Sequence, residues 1–132
     1  MLFRSPLRPG DVIAANNPFN GGTHLPDVTV ITPVFVDKEA HPVAFVANRG
    51  HHADVGGLTP GSMPAFSRRI EEEGLLLDNV PLLVEGTWDE AAWLERCAAG
   101  AWPVRHPRRF LDDLRAQVAA NQLGGQIGRA HV

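Results

Sequence analysis

The sequence predicts an α+β fold, in which a β-hairpin or small sheet with flanking loops precedes two C-terminal helices. β-Branched residues concentrate in residues 28–36, and a second apolar run follows at 42–48, so two strands joined by the polar turn 37–41 are expected. Helical periodicity appears only after residue 87. An isolated two-stranded ribbon is marginally stable, and the 132 residues are therefore expected to form a fragment of a larger domain, whose other strands complete the sheet.

The N-terminal half contains one further strand and two loops. Residues 11–15 are predicted to form a short buried strand. Residues 16–22 include Pro18 and a Gly-Gly pair, which exclude a regular element and indicate a tight loop. Residues 51–64 contain three glycines and two prolines and are expected to form a second loop. Loops of this kind carry chemistry more often than strands do.

The two helices are predicted in the last third of the chain. Thr87-Trp88-Asp89-Glu90 has the form of a capping box, and residues 91–98 are a plausible helix body. In residues 107–122, apolar side chains recur every four positions from Phe110 onward, as in an amphipathic helix. Gly124 is expected to end this second helix.

Composition excludes several classes of function. Lys and Arg number 12 against 15 Asp and Glu, for a net charge of −3, so no electrostatic argument favours binding to nucleic acid or to an anionic membrane. The apolar runs are too short to span a bilayer. Cys97 is the one cysteine, which excludes an internal disulfide and fits a reducing compartment, so a cytoplasmic location is expected. On its predicted helix it is expected to be a small core residue.

Polar residues are concentrated in the two loops that flank the predicted hairpin. If the strands pair antiparallel, His24 and Asp27 at one end meet His51 and His52 at the same end. Imidazoles and a carboxylate brought together in this way can bind Zn²⁺, Mn²⁺ or Fe²⁺. The alternatives are structural: each histidine as an ordinary hydrogen-bonded side chain and Asp27 as a turn cap. General acid–base catalysis by Asp27 with other acids, among them Asp54, is a weaker reading.

Four blocks of sequence, in order, resemble the hydantoinase B/5-oxoprolinase family. They run from Leu7 to Val28, from Ala47 to Pro64, from Glu72 to Leu75 and from Asp112 to Asn121. The resemblance implies that residues 1–126 are a partial hydantoinase B/oxoprolinase domain, because members of that family are several times longer. Residues 127–132 read as the translation of a sequencing adapter and are expected to be a non-native tail.

The resemblance implies the metal-binding B component of an ATP-dependent hydrolase that opens cyclic amides such as 5-oxoproline, hydantoins or lactams. ATP would be bound by a hydantoinase A-type partner subunit or domain, in a hetero-oligomer, and the isolated fragment is expected to be inactive. The alternatives are the alpha-type subunit of an ATP-dependent ketone carboxylase and a non-catalytic metal-binding module.

The same resemblance assigns the site residues. His24, Asp27 and His51 are expected to be the metal ligands, with His52 joining them in catalysis, while His52 and Asp54 orient the ligands from outside. A bound metal would lower the pKa of a water molecule or polarise a carbonyl group. The family usually has Asp where Asn17 stands in this chain, and its remaining acidic ligand lies upstream of the matched blocks.

Overall fold

A four-stranded antiparallel sheet is the centre of the computed structural model, which describes residues 6–130. The first five residues of the predicted domain and the last two of the predicted tail lie outside this range. The strands are β1 (Val12–Ala15), β2 (Asp27–Val34), β3 (Ala44–His51) and β4 (Val80–Leu83), in the spatial order β3-β2-β1-β4. A 3₁₀ turn (Ile70–Glu72) precedes β4, and the helices α1 (Glu90–Ala98) and α2 (Pro107–Ala130) follow it. The predicted α+β class is confirmed.

The predicted hairpin is formed by β2 and β3, with boundaries shifted toward the site. β2 begins at Asp27, and β3 continues to His51, so these two residues face each other as the first cross-strand pair. Pro33 remains inside β2, opposite Phe45. It is tolerated because β1 pairs with β2 only from Thr29 to Ile31, so Pro33 lies beyond the part of β2 that has two neighbours.

This chain itself adds two strands, β1 and β4, to the predicted hairpin, so the sheet that it forms has four strands. β1 pairs with β2 on one side and with β4 on the other. The sequence reading missed β4, because its four residues include Pro81 and show no alternation. Proline is acceptable there since β4 is an edge strand.

Both helices form, but their predicted ends need correction. Asp89, rather than Thr87, caps α1, and its side chain accepts a hydrogen bond of 3.0 Å from the Ala92 amide. α2 continues past Gly124 to Ala130. A Cβ atom at Gly124 would lie 3.3 Å from Val46 Cγ1, so the glycine gives the helix a close approach to the sheet instead of ending it.

The core lies between the sheet and the two helices. Its side chains come from β1, β2 and β4, from the loops and from α1 and α2; among those that are entirely buried are Leu25, Val28, Val30, Leu77, Leu111 and Leu114. Cys97 is 1% exposed, and burial raises the pKa of its thiol to about 11. The prediction that Cys97 is a core residue is confirmed. Within residues 6–130, no helix has the length and apolar character needed to cross a bilayer.

A buried amide network joins α2 to the hairpin. The side chain of Asn121 donates to the backbone carbonyl of Val30 at 3.0 Å and accepts from Asn48 Nδ2 at 2.7 Å. Gln117 donates to the Val28 carbonyl at 3.0 Å and to Asn48 Oδ1 at 2.8 Å. These bonds satisfy polar groups on β2 and β3 that the helix would otherwise bury unpaired.

Replacement of Asn121 by Ala should therefore destabilise the protein strongly. The change removes one of the two acceptors of the Asn48 amide nitrogen, which keeps its bond to the Gln117 carbonyl, and removes the Asn121 donor to the carbonyl of Val30. Each buried polar group left unsatisfied costs about 1–3 kcal/mol. Urea unfolding measures the difference. Gln122→Ala, at the neighbouring exposed position on α2, is the control and should change the free energy of unfolding by less than about 0.5 kcal/mol. Equal effects of the two variants would show that the network contributes nothing to stability.

Candidate metal centre

His24, Asp27 and His51 form a cluster at one end of the sheet. Each offers one nitrogen or oxygen atom, and these three atoms lie within 4.8 Å of one another. The pairing of β2 with β3 places Asp27 opposite His51, and the loop that leads into β2 supplies His24. Antiparallel pairing thus brings together groups that are 27 residues apart in the chain, from His24 to His51.

The loop that carries His24 is fixed by the buried side chain of Asn16. Its amide nitrogen donates to the carbonyls of Leu25 and Leu75, both at 2.8 Å, and its oxygen accepts from the Leu77 amide at 2.6 Å. Gly22 is required beside it, because a Cβ atom there would lie 2.5 Å from the Asn16 carbonyl oxygen. The loop therefore has little freedom to move His24 away from β2.

Contacts among the three side chains are direct. His24 Nδ1 lies 3.0 Å from Asp27 Oδ2, and the rings of His24 and His51 have their centroids 5.2 Å apart at an angle of 51°. The backbone of His24 also closes a turn, since its carbonyl accepts a hydrogen bond of 3.0 Å from the Asp27 amide. Asp27 and His24 are partly exposed and His51 is exposed, so a ligand can reach all three from solvent.

Thr23 favours the charged form of the Asp27 carboxylate. Its hydroxyl donates to Asp27 Oδ2 at 2.7 Å, and this hydrogen bond is the main reason that the pKa of Asp27 is lowered. Partial burial opposes the shift, while the nearby side chains of His24, His51 and Arg49 add to it. The donor set is therefore two imidazoles and an ionised carboxylate, which suits Zn²⁺, Mn²⁺ or Fe²⁺.

His52 lies on the opposite side of the strand from His51. It is 3% exposed, packs against Phe110 with ring centroids 4.9 Å apart, and its Nε2 lies 2.8 Å from Gln117 Oε1. Gln117 uses its amide nitrogen to donate to the Val28 carbonyl, so its oxygen faces His52 and accepts the Nε2 proton. Burial is the main cause that lowers the pKa of His52. The structure thus brings His51, and not His52, into the cluster.

Asp54 binds the loop that follows β3. Its Oδ1 accepts from the Gly56 amide at 2.9 Å, and its Oδ2 accepts from the Gly61 amide at 3.0 Å and from Arg105 Nη1 at 2.9 Å. Gly56 has a φ of +91°, and a Cβ atom there would lie 2.5 Å from the Trp102 carbonyl. This glycine is therefore required by backbone packing, not by the approach of a ligand.

The contacts that support the cluster include two residues that the sequence reading did not single out. Thr23 precedes Asp27 by four positions, and Arg49 precedes His51 by two, on the same face of β3. Extending the predicted strand to His51 would have placed Arg49 on the same face as His51, because side chains alternate along a strand. Asp54 is not part of the cluster, and backbone amides and Arg105 occupy its carboxylate oxygens.

Comparison with known families identifies the chain. The family model described as hydantoinase B/oxoprolinase matches residues 1–130. The chain belongs to the hydantoinase B/oxoprolinase family. The resemblance seen in the sequence is thereby confirmed.

Relatives of this hydantoinase B/oxoprolinase chain are much longer. 5-Oxoprolinase 1 of Arabidopsis thaliana is 48% identical over 126 residues, which cover 89% of this chain and 10% of that protein. The ATP-dependent caprolactamase from Pseudomonas jessenii matches in structure with a TM-score of 0.75 and 28% identity, over 91% of this chain and 20% of that one. The chain spans about 10% of the length of the curated 5-oxoprolinases that it matches.

A solved nucleotide-free structure of acetone carboxylase shares the fold. It matches with a TM-score of 0.82 and 21% identity, over 96% of this chain and 16% of that chain. The same arrangement of sheet and helices therefore occurs in proteins whose names describe different reactions.

Asp54→Asn should destabilise the loop in a pH-dependent way. Burial alone would raise the pKa of Asp54, but hydrogen bonds from Gly56, Gly61 and Arg105 lower it below its ordinary value of 3.8. The carboxylate therefore stabilises the fold at pH values above 3.8, and this contribution is lost as the pH falls through the lowered pKa. We expect a loss of about 1–3 kcal/mol at pH 7.

Urea unfolding at several pH values measures this contribution. The difference between the unchanged chain and Asp54→Asn should shrink as the pH is lowered below 3.8. Asp112→Asn, on the exposed side of α2, is the control. A difference that stays constant down to the acid limit would contradict the assigned role of the Asp54 charge.

Proposed function

We propose that this chain is the metal-binding part of an ATP-dependent enzyme that opens cyclic amides such as 5-oxoproline, hydantoins or lactams. The observation that carries the proposal is the cluster of His24, Asp27 and His51, whose ligand atoms lie within 4.8 Å of one another. The relatives named 5-oxoprolinase and caprolactamase support the substrate class, since they are 48% and 28% identical to this chain.

The three side chains supply what a hydrolytic metal site needs from a protein. A divalent ion held here would polarise the amide carbonyl and lower the pKa of a water molecule. Asp27 contributes the negative charge, and Thr23 keeps its carboxylate ionised and oriented. His24 and His51 contribute nitrogen ligands on the solvent side of the sheet. His52 holds the end of β3 to α2 through Gln117, and so positions the neighbouring His51.

ATP would be handled by another part of the assembly. This chain contains no Gly-x-x-x-x-Gly-Lys phosphate loop. A hydantoinase A-type subunit or domain would bind ATP and phosphorylate the cyclic amide, which turns the amide oxygen into a good leaving group. The proposed enzyme is therefore a hetero-oligomer or a longer polypeptide in which this chain provides the metal centre.

Ketone carboxylation by the alpha-type subunit of an ATP-dependent carboxylase is the alternative within the same fold. The acetone carboxylase match rests on 21% identity and speaks for the fold alone. Cyclic-amide opening is preferred because the more similar relatives carry names from that class. Substrate-dependent ATP hydrolysis separates the two, with lactams and hydantoins in one arm and ketones with bicarbonate in the other.

Removal of a ligand should abolish metal binding without unfolding the chain. Asp27→Asn retains the shape of the side chain and its bond to Thr23 but removes the charge, and His24→Ala removes a nitrogen ligand. We expect zinc affinity, measured by calorimetry, to fall by roughly 100-fold or more in either variant. His41→Ala changes an exposed histidine in the turn before β3 and should bind zinc as the unchanged chain does.

Equal zinc affinity in Asp27→Asn and His41→Ala would refute the metal site. Circular dichroism of each variant shows whether the fold is retained. A metal-binding module without catalytic function would pass this test, so a second experiment is needed for the reaction.

A chimera tests the reaction. The segment of Arabidopsis thaliana 5-oxoprolinase 1 that aligns with this chain is replaced by residues 7–121, and ATP-dependent opening of 5-oxoproline is measured. We expect activity in the chimera and a loss of roughly 100-fold or more when Asp27→Asn is added, because the ligand charge is missing. Activity that survives Asp27→Asn in a chimera shown to lack metal would contradict the proposed role, and His41→Ala is again the matched control.

A further inference from the structure

Arg49 lies beside the cluster on the same face of the sheet. It pairs with Thr29 across the hairpin, and the next pair on that face is Asp27 with His51. Side chains two residues apart on a strand point to the same side. Arg49 therefore lies one same-face position from the Asp27–His51 pair. The cationic side chain is therefore part of the environment that any ligand of the cluster enters.

The guanidinium is held in place by neutral groups. Arg49 Nε donates to Thr29 Oγ1 at 2.9 Å, and Nη2 donates to the Gly21 carbonyl at 3.0 Å. Among the described residues, Arg49 has no carboxylate oxygen within 4.0 Å, whereas Arg105 and Arg115 are each paired at less than 3 Å. A guanidinium has five N–H donors, so these two bonds orient the group while its charge stays available.

The site has space for a ligand next to this charge. The Arg49 side chain is exposed, and a Cβ atom added to Gly21 would meet nothing within 4 Å. The positive charge of Arg49 offsets the negative charge of the Asp27 carboxylate, so a divalent cation in the cluster would retain most of its own positive charge. Electrostatics thus favour a ligand that brings negative charge of its own.

We infer that Arg49 is a specificity-determining residue, which binds an oxyanion of the substrate beside the metal centre. The oxyanion is either a carboxylate on the cyclic amide or a phosphoryl group that has been transferred to it, since a guanidinium binds both with paired hydrogen bonds. This inference rests on the proposed function and adds the substrate class: the amide that reaches this site is anionic.

The competing explanation is structural. In that case Arg49 only ties the Gly21 loop to β2 through Thr29, and its loss would disturb the position of His24 and with it the metal. The two explanations differ in a measurable way, because anion binding and metal binding are separate equilibria. Arg49→Lys retains the charge and loses the paired geometry, while Arg49→Gln loses both.

The experiment uses this chain loaded with Co²⁺, whose visible spectrum reports the ligands around the ion. Inorganic phosphate and acetate are titrated separately into the unchanged chain, Arg49→Gln, Arg49→Lys and Arg8→Gln. Arg8 is the charge-matched control. It lies in the segment before β1, where it forms an ion pair with Glu85, and the start of β1 is at the end of the sheet away from Asp27. We expect Arg49→Gln to bind Co²⁺ normally and the oxyanion roughly tenfold more weakly or worse, with Arg49→Lys between.

Each outcome has a defined meaning. A loss confined to acetate identifies the substrate carboxylate as the partner of Arg49, a loss confined to phosphate identifies the phosphoryl group, and a loss of both supports a general oxyanion site. Unchanged anion affinity in Arg49→Gln, or an equal loss in Arg8→Gln, overturns the inference and leaves the metal centre intact. A parallel loss of Co²⁺ affinity in Arg49→Gln supports the structural explanation and likewise overturns the inference. Absence of Co²⁺ binding both by the unchanged chain and by the chimera that carries residues 7–121 refutes the proposed function itself.

Discussion

The cross-strand pair of Asp27 with His51 is the constraint on which the site depends. The register of β2 against β3 makes these two residues partners and places a carboxylate and an imidazole side by side at the end of the hairpin. His24 reaches them from a loop that Asn16 holds in place, and Thr23 supplies the hydrogen bond that keeps the carboxylate charged. The chemistry of the chain therefore follows from one local pairing and the few side chains that reinforce it.

Much of the fold was predictable from residue patterns, and the failures have physical causes. The β-branched run of β2 and the periodicity of α2 identified those elements directly. β4 was missed because Pro81 is a strand breaker except at a sheet edge, and edges are visible only in three dimensions. Gly124 was misread as a helix end because its role, close contact with Val46, depends on tertiary packing.

The cluster was predictable because an antiparallel hairpin places the start of its first strand beside the end of its second. The roles of His52 and Asp54 were harder to predict, since both have the residue type of a ligand but are used elsewhere, His52 against Gln117 and Asp54 in its loop. Which of two adjacent histidines joins the cluster depends on the register of the two strands. The buried surroundings of His52 resolve the choice.

The contacts of Asn48 with Gln117 and Asn121 protect the hairpin against a misalignment that the adjacent His51 and His52 would tolerate. If β3 slipped by one residue, His52 would turn toward Asp27 and an imidazole would still be offered, so the donor chemistry alone does not discriminate between the two alignments. The slip would also turn Asn48 away from Gln117 and Asn121, whose buried amides would then lose their hydrogen bonds to it. Contacts with α2 on one face of the sheet thus favour the alignment of β2 and β3 that assembles the cluster on the other face.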